Sequence, residues 1–114
     1  MGGTMKLPWA DEAVISEAKL KEYLLSEEHP LGRTKAHVLK RFGYTSESWI
    51  ILAEDLRTLA RENDVVLVER SPFGTRFVVD GLLHTPNGRE LLLRSVWFVD
   101  IYGEIPHFVT AYPR

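Results

Sequence analysis

Four histidines, 14 lysines and arginines, 16 aspartates and glutamates and no cysteine are the ionisable groups with which this chain can do chemistry. The densest group of cations is His29-Pro30-Leu31-Gly32-Arg33-Thr34-Lys35-Ala36-His37-Val38-Leu39-Lys40-Arg41. Residues 29–46 hold four cations and no anion, whereas residues 1–28 and 47–64 each sum to -3 and residues 65–114 to zero. A turn that opens a helix offers free backbone N–H groups and a positive dipole end, so Arg33 and Lys35 in the first turn could hold a phosphate. His29, whose ring titrates near neutrality, could move a proton beside them. The same pattern also describes a solvated cationic face opposed by acidic neighbours, and His29 equally describes a turn-filling residue. His37 and His84 read as surface and loop residues. With no His-x-x-x-His pair and no carboxylate cluster, neither a metal site nor a cofactor is expected.

A second group lies near the C-terminus. Arg94 interrupts the apolar run Leu91-Leu92-Leu93-Arg94-Ser95-Val96-Trp97-Phe98-Val99 and shares a face with Leu92, Val96 and Phe98. It is either an edge residue with a buried stem or a residue aimed at an anion. Strict alternation in His107-Phe108-Val109-Thr110-Ala111-Tyr112 puts Phe108, Thr110 and Tyr112 on one face and His107 on the other, so two hydroxyls project side by side. Trp49 and Trp97 sit at apolar-phase positions and read first as core. No Gly-rich phosphate loop, Ser-His-Asp order or paired-carboxylate spacing is present.

The elements that must position these residues follow from period and punctuation. Ser16 caps a first helix, to about Ser26, with Leu20, Tyr23 and Leu24 on one stripe. His29-Pro30-Leu31-Gly32 is a turn, and a second helix over 33–42 puts Ala36, Leu39 and Phe42 inward before Gly43 stops it. Thr45-Ser46-Glu47-Ser48 offers caps for a third helix, to about Asn63, with Trp49, Leu52, Ala53, Leu56, Leu59 and Ala60 in helical phase. The pattern then changes to strands over 65–70, 75–83, 90–100 and 105–112, divided by Ser71-Pro72-Phe73-Gly74, Thr85-Pro86-Asn87-Gly88 and Tyr102-Gly103. The expected fold is α+β, three N-terminal helices packed on a four-stranded antiparallel sheet, in one domain over 1–114 with 1–4 a loose leader. No apolar run is long enough to span a bilayer, and the absence of cysteine suits a reducing cytoplasm. A net charge of -2 argues against a general nucleic-acid binder.

Read together, Lys6-Leu7-Pro8, Lys19-Leu20 with Tyr23-Leu24-Leu25, His29-Pro30 with Gly32-Arg33 and Lys35-Ala36, Phe42-Gly43-Tyr44, Trp49, Pro86-Asn87-Gly88-Arg89, Arg94 with Val96-Trp97, and Val109-Thr110-Ala111-Tyr112-Pro113 resemble a bacterial domain family. It has no settled activity and occurs alone and at the C-termini of larger toxins. More loosely, helices followed by an antiparallel sheet that ends in Thr-Ala-Tyr-Pro resemble the superfold of barnase, the EndoU endoribonucleases, the colicin tRNases and the RelE toxins. That resemblance implies a metal-independent endoribonuclease acting through the RNA 2'-OH. It implies His29, Lys35, Arg94, Thr110 and Tyr112 as catalytic residues, and Arg33, Lys40 and Trp97 as substrate-binding ones. RNA is the implied substrate and an antitoxin or immunity protein the implied partner. The competing expectation is a non-catalytic module that binds such a protein through the same sheet.

Overall fold

The apolar positions of the longest periodic segment close one side of the structure. Helix α2 (Trp49–Glu62) turns Leu52, Ala53, Leu56, Leu59 and Ala60 inward, all essentially buried, and ends where the Asn63 side-chain amide donates to the Leu59 carbonyl, 2.9 Å away. These side chains pack on one face of a sheet in which β1 (Val65–Ser71), β2 (Gly74–His84), β3 (Glu90–Asp100) and β4 (His107–Pro113) pair antiparallel in chain order. This computed structural model describes residues 4–30 and 33–114; residues 1–3 of the expected leader and 31–32 of the expected turn lie outside the described residues.

The fold is therefore mixed α+β, an antiparallel four-stranded sheet with helices. Helix α1 (Arg33–Arg41) buries Ala36 and Leu39. The first expected helix is not a regular α-helix. Over Lys19–Leu24 it is wound as a π-helix, in which the Leu25 N–H reaches the Leu20 carbonyl at 2.7 Å, five residues back. The wider turn lets Leu20, Leu24 and Leu25 all reach zero exposure. A 3-10 turn, Ala10–Glu12, precedes it, and Val14 bridges in parallel to His107 on the outer edge of β4.

Trp97 is wholly buried, and its indole N–H donates to Ser95 Oγ at 2.9 Å. The Ser95 hydroxyl in turn donates to the Val79 carbonyl at 2.8 Å, so the polar atoms of this core region are satisfied. Trp97 is thus corrected from a substrate contact to the centre of the core; no ligand outside can reach it.

The β2–β3 turn grips the end of α1. Asn87 donates its backbone N–H to the Phe42 carbonyl at 3.3 Å and its side-chain amide to the Arg41 carbonyl at 3.1 Å. Both carbonyls are ones that a helix terminus leaves unpaired. The Arg89 guanidinium lies 5.1 Å from the Phe42 ring centroid. Gly43 makes this approach workable: its φ is 100°, and a Cβ there would stand 3.1 Å from Pro86 Cβ and 3.2 Å from the Asn87 nitrogen. Gly43→Ala is expected to cost about 1–3 kcal/mol, through the left-handed backbone and the tight contact with the turn, as a lowered midpoint in urea unfolding. An unchanged midpoint would show that the turn yields freely.

Candidate functional site

The π-helix and β4 present the side chains that meet. The helix swings Tyr23 toward β4, where its hydroxyl lies 3.0 Å from Thr110 Oγ1. Lys35, in the first turn of α1, completes a triangle: its Nζ donates to the Tyr23 oxygen at 2.5 Å and to Thr110 Oγ1 at 3.1 Å. The ammonium also stands 5.0 Å from the Tyr23 ring centroid and 5.7 Å from that of Tyr112, within cation–π range. The His29 ring meets the Tyr23 ring edge-on, with centroids 5.0 Å apart at 81°. Lys19 donates to the Val109 carbonyl at 3.1 Å and lies 5.7 Å from the Tyr23 centroid. A groove of about 680 Å³ opens here, lined by Lys19, Glu22, Tyr23, His29, Val109 and Thr110 among others.

Strand β4 reaches this geometry by breaking the two-residue alternation. Trp97 pairs with Phe108 while its neighbour Val96 pairs with Thr110, so β4 carries one residue, Val109, more than β3. Such a bulge reverses the faces on its two sides. The expectation that Phe108 shares a face with Thr110 and Tyr112 is corrected. Phe108 is buried against Trp97, with centroids 5.4 Å apart at 72°, while Thr110 and Tyr112 stand on the sheet face away from α2. His107 is corrected likewise: opposite Phe98, it shares the face of Thr110 rather than opposing it.

Arg94 lies on this same face, in a row directly across three strands: Asp80, Arg94, Tyr112. Its Nε and Nη2 grip the two Asp80 oxygens at 2.8 and 2.9 Å, Arg114 pairs with the same carboxylate, and Tyr112 stands directly opposite Arg94 on β4. The Arg94 hydrogen bonds hold the Asp80 carboxyl below its ordinary range, against a smaller desolvation effect and with Arg114 adding to them. Arg94 is therefore engaged with protein groups and reaches the cluster through Tyr112.

The sequence-derived candidates thus divide. His29, Lys35, Thr110 and Tyr112 come together, with Arg94 joined through Tyr112. Arg33 is exposed on the first turn of α1, its N–H donating to the His29 carbonyl at 2.9 Å. Lys40 lies apart from the cluster, its ammonium 3.6 Å from the Glu27 carboxylate. Two residues were missed. Tyr23 had been absorbed into an apolar stripe, although a tyrosine on such a stripe carries a polar tip that must find a partner. Lys19, four residues before Tyr23, shares its helical face, which was the available signal. Among the described residues no group of three or more His, Asp or Glu is placed to hold a metal ion, and no helix is long and apolar enough to cross a membrane.

A family model described as "Domain of unknown function (DUF6883)" matches residues 6–114. No curated protein matches the chain. Among solved structures, a chain of a contact-dependent growth inhibition toxin–immunity protein complex from Klebsiella pneumoniae 342 superposes with a TM-score of 0.72 at 22% identity. The match covers 90% of this chain and 100% of that one, and it shows a shared fold.

The Asp80–Arg94 pair gives a pH prediction. Because the folded Asp80 pKa is depressed, its stabilisation is complete above the unfolded carboxylate value of about 4 and is lost as pH falls through the folded value. Asp80→Asn should be less stable than the parent at neutral pH. In urea unfolding across pH 7 to 2 the gap should close in acid; a gap independent of pH would refute the pairing energetics.

Proposed function

We propose that this chain, which belongs to the DUF6883 family of domains of unknown function, is a toxin-type module that cleaves RNA in the cytoplasm without a metal ion. The observation that carries the reading is the ammonium of Lys35, held by two hydroxyls and two aromatic rings, with no carboxylate paired to it among the described residues. Tyr23 and Thr110 take two of its three donors and position it, which leaves the third available to an incoming anion. Lys19 adds a second cation at the same groove.

Metal-independent cleavage of RNA needs proton transfer at the ribose 2'-OH and at the leaving 5' oxygen, and a cation for the charge growing on phosphorus oxygens. His29 at the groove edge handles a proton, Lys35 meets the phosphate, Thr110 offers a hydrogen bond and Tyr112 a ring for ribose or base. Arg94 steadies Tyr112, and Arg33 meets the backbone outside. The 2'-OH is what separates RNA from DNA at such a site. With only a few cations in reach, the contact is local and few phosphates are engaged, so the salt dependence should be shallow.

A second reading rests on the sheet face away from α2, where Leu67, Leu82 and Leu92 are each close to half exposed. A module that uses this face to bind a protein would need no catalysis. The similar chain from a toxin–immunity protein complex supports a protein partner of antitoxin or immunity type for either reading.

Purified protein incubated with mixed RNA in EDTA should cut it, leave DNA intact, and lose roughly 100-fold or more of its rate in His29→Ala and in Lys35→Ala with circular dichroism unchanged. No cleavage, or cleavage indifferent to both substitutions, defeats the nuclease reading. Loss of partner binding in Leu82→Glu, in a protein that cuts nothing, favours the second.

A further inference from the structure

Of the four tyrosines in the chain, Tyr23 alone is bonded to an ammonium among the described residues. The bonding around its oxygen can be accounted for atom by atom. Lys35 Nζ is a donor only, so the Tyr23 oxygen accepts from it at 2.5 Å. Thr110 Oγ1 accepts from the same ammonium at 3.1 Å and shares a hydrogen bond with the Tyr23 oxygen 3.0 Å away, in which either hydroxyl can donate. With the phenol ionised, Thr110 donates and the phenolate oxygen receives two hydrogen bonds at the edge of the groove that Tyr23 lines. An oxygen so placed is built to accept a proton.

We infer that Tyr23, as a phenolate held by Lys35, is the group that takes the proton from the attacking hydroxyl of the substrate, a single-stranded RNA whose 2'-OH enters the groove. This rests on the cleavage reading above. The O–H bond of the 2'-OH breaks and its proton passes to the Tyr23 oxygen. The 2' oxygen forms a bond to phosphorus, and the bond from phosphorus to the 5' oxygen breaks. The leaving 5' oxygen takes a proton from the His29 imidazolium, so phenolate and imidazolium end as phenol and imidazole and the total charge is unchanged. Of the three donors on Lys35, two are spent on Tyr23 and Thr110 and the third is left for a phosphate oxygen. A flexible, unpaired strand is required, because a hydroxyl held within an A-form duplex lies in a shallow groove and cannot enter a cleft between a helix and a strand.

The charged and titratable groups around the phenol agree. Lys19 and Glu22 lie on its own helix, His29 on the segment that follows, Lys35 on α1 and Tyr112 on β4. Burial pushes the phenol up, but the hydrogen bonds from Lys35 and Thr110 and the charges of Lys35 and Lys19 outweigh it and hold the group below its ordinary value. As pH rises the phenolate forms while the imidazolium is lost, so the cleavage rate should rise with pH and then fall, and without His29 as acid only the rise should remain.

Two measurements test this on the full chain. In ultraviolet difference titration, one tyrosine should ionise ahead of the others, vanish in Tyr23→Phe and move to higher pH in Lys35→Met. With single-stranded RNA of mixed sequence, Tyr23→Phe should lower kcat by roughly 100- to 10,000-fold and lose the alkaline rise, with an unchanged unfolding midpoint. His29→Ala should keep that rise. A parent that cuts no RNA overturns the cleavage reading and this inference together. A parent that cuts RNA while Tyr23→Phe keeps its rate, or loses rate but keeps the same pH profile, overturns this inference alone.

Discussion

One surplus residue in β4 governs the rest of the structure. Phe108 must stay opposite Trp97, because removing that ring would open a hole beside the largest side chain of the core. A strand that continued in strict alternation from Phe108 would turn Thr110 inward with it and leave Ala111 outside. With Val109 inserted, Ala111 returns to the core and Thr110 and Tyr112 face outward. The π-helix Lys19–Leu24 solves the same problem on the facing element, where one residue beyond an α-turn lets three leucines pack inward and Tyr23 face β4. The hydrogen bond between Tyr23 and Thr110 joins these two departures from regular geometry.

The two interior cations of this region are treated in opposite ways. Arg94 is matched by a carboxylate in bidentate geometry, so its charge is cancelled where it stands and its work is to fix orientation. Lys35 is matched by two hydroxyl-bearing side chains and two ring faces instead of a carboxylate. Tyr112, opposite Arg94 across the ladder and 5.7 Å from the Lys35 ammonium at its ring centroid, stands between the two.

The regular parts of the fold were legible. Helix α2 announced itself by four turns of unbroken period, and the strands by β-branched runs divided at Ser71–Gly74, at Asn87-Gly88 and at Tyr102-Gly103; their ends shifted by one or two residues. The departures from period were not, since nothing in the types of Val109 or Leu25 distinguishes an inserted residue from a regular one. That is why the side of Phe108 and of His107 was read wrongly and why Tyr23 passed for a core residue. Trp97 misled for a different reason: an indole is equally suited to a ligand or to a neighbour, and here it is wholly buried with its N–H on Ser95.

The hold of the Asn87 turn on the end of α1 bears on tolerances within the cleft. Strands β2 and β3 form one hairpin, whose tip fastens the helix that carries Lys35 and whose middle, at Arg94, pairs with Tyr112 on β4. Both jaws therefore share one stem, in the manner of a caliper. The spacing of ammonium and ring thus depends on the backbone ladder that joins β2, β3 and β4.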